Sequence, residues 1–388
     1  MSDRWLQEEL TALTADDRRR HLLTLTPLDG GRVRTADGRV LLNLCGNDFL
    51  GLSRDARVIA AAQQALTEFG AGSQASRLVT GNQPLHERAE QSIADLVGAE
   101  AALLTGSGWH VNTGLIPALV GKGDVVFSDE RNHASLIDGC RLSRAAVVVF
   151  RHADAGDLAA KLRDERAKYK RALVVTESVF SMDGDCAPLT TIVELAEQHD
   201  AMTLIDEAHA VGVWGEGRGL VGAAKLSERV TATVVTFGKA LGAFGAAVCG
   251  SRTLREWLVN RQRSLIFSTA PSPADVAAAA ESTRIIREEG ASLRECLQAN
   301  VNALTDPLRE AGVELPQPCG PIVPVIFGDN RLALDAAADL ETRGILARAI
   351  RPPSVAPGTA RLRLTVSAAH DRNAIVDAAR AIVDLYNR

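Results

Sequence analysis

The chain lacks several features that would send a functional reading elsewhere. It has no C-x-x-C pair. Its six cysteines stand at 45, 140, 186, 249, 296 and 319, so neither a zinc knuckle nor a dithiol redox centre is indicated. Cysteines this sparse in 388 residues read as small buried side chains in a reducing compartment. No apolar run approaches the roughly 18 residues that a membrane span needs, and residues 1–9 carry no hydrophobic signal core. No charge of one sign dominates: the formal net charge is −5, which gives no pull toward nucleic acid or an anionic membrane. Internal repeats and low-complexity linkers are also missing. The expectation is a cytoplasmic protein with no nucleic-acid or membrane partner.

What is present is an ordinary globular composition, 46% apolar and 23% charged. A chain of this length exceeds one core, since domains commonly run to about 100–200 residues. Residues 1–45 read as an N-terminal helix and hairpin segment, 46–285 as a large domain and 286–388 as a smaller one. Trp5, Leu6, Leu10, Leu13 and Leu22 predict a helix over 4–23. Leu28-Asp29-Gly30-Gly31 breaks it, and a hairpin turns through Ala36-Asp37-Gly38. Short apolar runs then recur at 101–105, 124–128, 146–150, 172–177, 202–206, 231–237 and 245–249. Helical stretches such as 155–168 and 188–199 lie between them. Strands alternating with helices imply right-handed crossovers and an α/β domain with a mostly parallel seven-stranded sheet. An alanine-rich helix is expected from near Pro273 toward 300. Strands at 322–326 and 361–366 with helices at 331–343 and 371–387 form an α+β domain.

In an open parallel sheet, ligands bind beyond the carboxyl ends of the strands. Several polar groups fall at those ends, and each has a bland reading when taken singly. Gly106-Ser107-Gly108-Trp109 is a glycine-rich turn whose amides suit a phosphate at a helix N-terminus. His133 reads equally as a helix cap. Glu177 through Ser181 reads as an acidic turn, and Asp206 as a strand-end acid. Lys239, alone between Gly238 and Ala240-Leu241-Gly242, follows a β-branched run, and its desolvated amine suits a nucleophile or base. Together they meet the needs of a pyridoxal phosphate (PLP) ring. Asp206 lies under the ring nitrogen, His209 and Ser181 at the phenolic oxygen and His133 on the face. Gly108, Trp109 and Thr236 serve the phosphate, and Lys239 the aldehyde.

Two motif matches point elsewhere and are set aside. Gly217-Arg218-Gly219-Leu220-Val221-Gly222 fits G-x-G-x-x-G but follows a loop, with no acid near residue 242. His86-Glu87-Arg88-Ala89-Glu90 begins like a zinc-protease helix but ends on glutamate, so no metal site is expected.

From about residue 40 onward the chain resembles the α-oxoamine synthases, which are fold-type I PLP-dependent transferases. The motifs are Asn47-Asp48-Phe49-Leu50-Gly51-Leu52, Ser76-Arg77-Leu78-Val79-Thr80-Gly81-Asn82, Glu177-Ser178-Val179-Phe180-Ser181-Met182-Asp183-Gly184, Asp206-Glu207-Ala208-His209, Thr236-Phe237-Gly238-Lys239-Ala240-Leu241-Gly242 and Ala349-Ile350-Arg351-Pro352-Pro353-Ser354-Val355. The resemblance implies that Lys239 bonds the cofactor aldehyde and Asp206 pairs with its ring nitrogen. It implies that His133 stacks on the ring and that His209 and Ser181 serve its oxygen side. Gly108, Trp109, Glu177 and Thr236 complete the cofactor contacts. Asn47 and Arg351 are implied to take the substrate carboxylate, with Ser354 and Arg20 also on the substrate. It further implies a homodimer in which Thr269 reaches the partner subunit's phosphate.

Gly242-Ala243-Phe244-Gly245-Ala246-Ala247-Val248 lacks the Gly-Gly pair of the glycine-using branches and is similar to the branch that uses L-alanine. That branch condenses L-alanine with a pimeloyl thioester, on CoA or a carrier protein, with loss of carbon dioxide, in biotin synthesis. A sister synthase using glycine or serine, and a PLP-fold module without turnover, are the alternatives. Cys45-Gly46, Gln74-Ala75 and Trp109 depart from the family pattern.

Overall fold

The structure, a computed structural model, describes residues 3–318 and 320–387. It divides into two compact units. One comprises Met1–Phe49, Met182–Gly184 and Glu295–Arg388, and the other Leu50–Ser181 and Asp185–Arg294.

In chain order the elements begin with α1 (Arg4–Ala15), β1 (Leu25–Leu28), β2 (Arg32–Thr35) and β3 (Val40–Asn43). The next are α2 (Ala56–Phe69), α3 (Pro84–Val97), β4 (Ala101–Thr105), α4 (Gly108–Leu119), β5 (Val125–Asp129), α5 (Ala134–Ser143) and β6 (Ala146–Phe150). They are followed by α6 (Ala155–Glu165), β7 (Ala172–Glu177), α7 (Leu189–Gln198), β8 (Met202–Asp206), α8 (Gly219–Ala223), β9 (Ala232–Thr236) and β10 (Ala246–Gly250). The remaining helices and strands are α9 (Arg252–Arg261), α10 (Arg263–Ile266), α11 (Pro273–Glu310), β11 (Ile322–Gly328), α12 (Asn330–Thr342), β12 (Ile345–Leu346), β13 (Ala349–Ile350), β14 (Ala360–Thr365) and α13 (Arg372–Tyr386).

The larger unit is built on a seven-stranded sheet in the order β4-β10-β9-β8-β7-β5-β6. Strand β10 runs antiparallel to both of its neighbours, and every other pairing is parallel. The sequence explains the burial. All six residues of β7 and all five of β5 are buried, as expected of a strand covered on both faces. Alternate side chains serve opposite cores. Leu173 and Val175 pack with Leu103, Val126, Leu204 and Val234 against α4 and α5. Ala172 and Val174 pack with Phe127, Ile205 and Phe180 against α6 and α7. Each of these buried valine, leucine, isoleucine and phenylalanine side chains contributes about 1.5–3 kcal/mol by leaving water.

The smaller unit holds a four-stranded sheet, β1-β2-β3-β12, and a three-stranded sheet, β11-β14-β13. Residues 1–45, expected as a separate segment, fall with the next four in the same compact unit as the C-terminal residues. The physical link is parallel pairing of β3 with β12, Leu42 opposite Ile345 and Asn43 opposite Leu346.

Other expectations are corrected in detail. The first helix ends at Ala15 rather than 23. No apolar residue follows until Leu22, and Asp17 adopts a left-handed conformation at φ 53°. The long helix runs on to Glu310, because Val301, Leu304 and Leu308 extend its buried stripe at helical spacing. Cys140 and Cys249 are buried and Cys45 and Cys186 partly so, but Cys296 is exposed, one position from the buried side of α11 at Leu297. Cys319 lies outside the described residues.

Candidate active site

The parallel strands of the larger unit deliver their polar residues to one edge of the sheet. Strand β9 ends at Thr236, and the turn after it carries Lys239, whose Nζ lies 3.3 Å from Thr236 Oγ1. The lysine is half-buried. Its loop is held tightly. Gly242 sits at φ 60°, and a Cβ there would fall 2.3 Å from the backbone nitrogen of Ser53, so only glycine fits.

Strand β8 ends at Asp206, which is buried at 5% exposure. Both carboxylate oxygens are oriented: Asn112 Nδ2 donates to Oδ2 at 2.8 Å and the Ala208 amide to Oδ1 at 3.0 Å. His209, three residues on, is also buried at 5% exposure.

His133 caps α5. Its Nδ1 accepts from the Ser135 amide at 3.2 Å, and its own amide donates to Glu177 Oε1 at 2.6 Å. An N–H can only donate, so Nδ1 is unprotonated and the proton of the neutral ring is on Nε2. The residue as a whole is exposed. The protein around it nevertheless lowers its pKa by removing water; nearby Asp206 raises it and Lys239 lowers it further. Trp109, on the first turn of α4, meets the His133 ring edge-on at 6.3 Å between centroids. Glu177 is fully buried. Burial, and after it the Asp206 charge, pushes its pKa well up, against the hydrogen bond from His133. Ser181 is half-buried on the loop after β7. Thr269 is exposed and pairs in an isolated bridge with Ser76.

The remaining candidates lie in the smaller unit. Arg20 Nη2 donates to Ser354 Oγ at 3.1 Å. Arg351 is buried at 9% exposure and donates to the Asp17 carbonyl. Its pKa is lowered by burial first, then by Arg20 and Arg348. Asn47 Oδ1 accepts from Arg363 Nη2 at 3.2 Å.

Asn112 is a residue that the sequence reading missed. It stands four positions after Gly108 and so shares a helix face with it. A lone amide in the apolar stretch Val111 to Leu119 was the available signal. Both set-aside motifs have structural work. The amides of Leu220 and Val221 donate to the buried Glu207 at 2.8 and 3.2 Å. The His86 side chain closes a capping box with Gln83 at the start of α3.

These residues fit PLP. A buried, pre-oriented carboxylate suits a pyridinium nitrogen. An amine stands by a hydroxyl, and the N-terminus of α4 presents amides with no side chain at Gly108. A Cβ there would come 2.7 Å from Thr236 Cγ2, filling the cradle.

Comparisons with known proteins agree. Residues 39–382 match the family described as aminotransferase class I and II. An 8-amino-7-oxononanoate synthase of Anaeromyxobacter dehalogenans is 50% identical over 95% of this chain and 92% of its own length. A high-resolution structure of a serine palmitoyltransferase with PLP superposes at a TM-score of 0.91, with 32% identity, 99% of this chain and 97% of that one covered. The 8-amino-7-oxononanoate synthase of Francisella tularensis superposes at 0.77, with 25% identity and 89% and 97% coverage. The fold is that of the fold-type I PLP transferases. The chain belongs to the aminotransferase class I and II family, and within it to the PLP-dependent 8-amino-7-oxononanoate synthases.

Proposed function

We propose that the protein condenses L-alanine with a pimeloyl thioester, releasing carbon dioxide and the free thiol, to give 8-amino-7-oxononanoate for biotin synthesis. The 50% identity with a synthase of that name over nearly the full chain carries the reading. Bound PLP supplies an electron-withdrawing ring that spreads the electron pair left when a bond to the alanine α-carbon breaks.

The chain's own groups do the rest. The Asp206 carboxylate, fixed by Asn112 and Ala208, keeps the ring nitrogen protonated. Lys239, with its amine 3.3 Å from Thr236 Oγ1, would hold the cofactor aldehyde and serve as the base that takes the alanine α-proton and returns one at the end. His133, neutral with its proton on Nε2, would stack on the bound ring and offer that N–H to the thioester carbonyl. His209 and Ser181 serve the phenolic oxygen. The Gly108 and Trp109 amides with the Thr236 hydroxyl hold the phosphate, and Glu177 positions His133. Arg351 and Asn47 take the alanine carboxylate, with Ser354 and Arg20 beside them on the substrate. The working form is a cytoplasmic homodimer in which Thr269 serves the phosphate of the second copy.

A serine- or glycine-using sister is the second reading, and the higher TM-score against a serine palmitoyltransferase favours it. The visible band of the purified holoenzyme tests both. A shift with L-alanine and not with serine or glycine selects the first, and the reverse selects the second. Lys239→Ala should keep the fold and form no product. Borohydride reduction of the wild type should tag the peptide holding residue 239; a tag elsewhere overturns both readings.

A further inference from the structure

The loops after β5 and β7 carry His133 and Ser181, and one side chain ties them together. His152 follows β6 by two residues. Its Nδ1 lies 3.0 Å from Asp129 Oδ1 and its Nε2 lies 2.6 Å from Asp185 Oδ2. A neutral imidazole has one N–H, so carboxylates at both nitrogens demand the doubly protonated ring. Burial alone would lower its pKa, but the bonds to Asp129 and Asp185 outweigh burial and raise it to about 9. The ring also meets Phe180 edge-on, 4.3 Å between centroids.

The anchoring on each side is firm. Asp129 is 1% exposed and also accepts from the amides of Arg131 at 2.9 Å and Ala153 at 2.8 Å. Ala153 takes a left-handed φ of 51°, which turns its amide toward that carboxylate. On the other side the Asp185 carbonyl accepts from the Phe180 amide at 2.9 Å, and Val179 bridges to Cys186. The second Asp185 oxygen is buried without a hydrogen-bond partner, so the imidazolium is what offsets its charge. Other charged groups on these segments are Glu130, which accepts from the His152 amide at 3.1 Å, Arg131, Asp183, which pairs with Arg361, and, after β6, Arg151, which pairs with Asp154 and Asp157.

We propose that His152 is a positioning residue for the reaction: through both ring nitrogens it ties the last residue of β5 to the loop after β7 and so holds His133, just past that strand end, and Ser181 in place. The inference rests on the reading of those two residues under the proposed function.

The test uses full-length holoenzyme, wild type, Asp185→Asn and His152→Gln, with histidine rings labelled for NMR. The readouts are ring titration, the visible band of bound PLP, and kcat and KM against pH. In the wild type the resonance missing from His152→Gln titrates near pH 9, and kcat falls over the same range. In Asp185→Asn the ring titration and the alkaline limb of kcat move down together, while KM for alanine changes little. His152→Gln loses about 10- to 100-fold in kcat, the scale of a small misplacement at a reacting centre, and has no such limb. Should Asp185→Asn fail to fold, loss of the limb in His152→Gln decides the matter. A ring titrating at its ordinary pKa, or a limb unchanged in both variants while the visible band persists, overturns the positioning role alone. A wild type with no visible band overturns the cofactor reading and this role with it.

Discussion

Asn112 illustrates how a site is built one residue at a time. The acid proposed to pair with the ring nitrogen is useful only if its carboxylate is held in one orientation, and a single amide shared between Asp206 and Ser135 does this at 2.8 and 2.9 Å. Replacing it with alanine leaves a buried carboxylate oxygen short of a donor. Asn112→Ala should therefore lose about 1–3 kcal/mol of stability and release PLP faster, checked by urea titration and by absorbance after dialysis. Unchanged PLP retention would remove Asn112 from the cofactor's support. The candidates Lys239, Asp206 and His133 could be picked out of the sequence from their places at or just after strand ends. Asn112 and His152 could not, because their partners lie far along the chain and neither sits in a motif. Gln74 is another local surprise. It adopts a left-handed φ of 65°, a conformation that costs a residue with a Cβ more than it costs glycine.

At the scale of elements, hydrophobic runs located the strands of the large sheet to within a residue or so, because strands buried on both faces leave little room for polar residues. The long helix was harder to end. Its buried stripe continues through Val301 and Leu304 where composition alone shows no stop. The central and edge strands should differ in their tolerance of truncation. Leu173→Ala in β7, which is 0% exposed, should cost about 2–5 kcal/mol. Val149→Ala in the edge strand β6, at 51% exposure, should change stability by under about 0.5 kcal/mol. Urea unfolding of the two variants checks the contrast; equal losses would mean that β6 is covered in solution.

For the molecule as a whole, buried acids shape the dependence of stability on pH. Burial raises the Glu207 pKa to about 7; hydrogen bonds from Ser178, Val221 and Leu220 oppose the rise and Asp206 adds to it. Below about pH 4.5 the group is protonated in both folded and unfolded chains. Between 4.5 and 7 the unfolded chain ionises and the folded one does not, so stability falls as pH rises through that window. Glu207→Gln keeps an acceptor for the two amides without the charge. It should be more stable than wild type at pH 8 by on the order of 1–3 kcal/mol relative to pH 5. Melting curves from pH 5 to 8 give the answer; parallel curves for the two proteins would rule the effect out.

The sequence by itself determined the alternation of strands and helices and the residues at the strand ends. Through their resemblance to a family it also determined the cofactor. These are local or motif-borne properties, written in periodicity and in a few fixed spacings. Only the tertiary structure decided that the first 49 residues join the C-terminal unit, that Asn112 orients Asp206, and that His152 bridges Asp129 and Asp185. Each of these depends on pairing between segments distant in the chain. Such pairing is settled by packing and hydrogen-bond satisfaction in the folded state, and no local pattern records it.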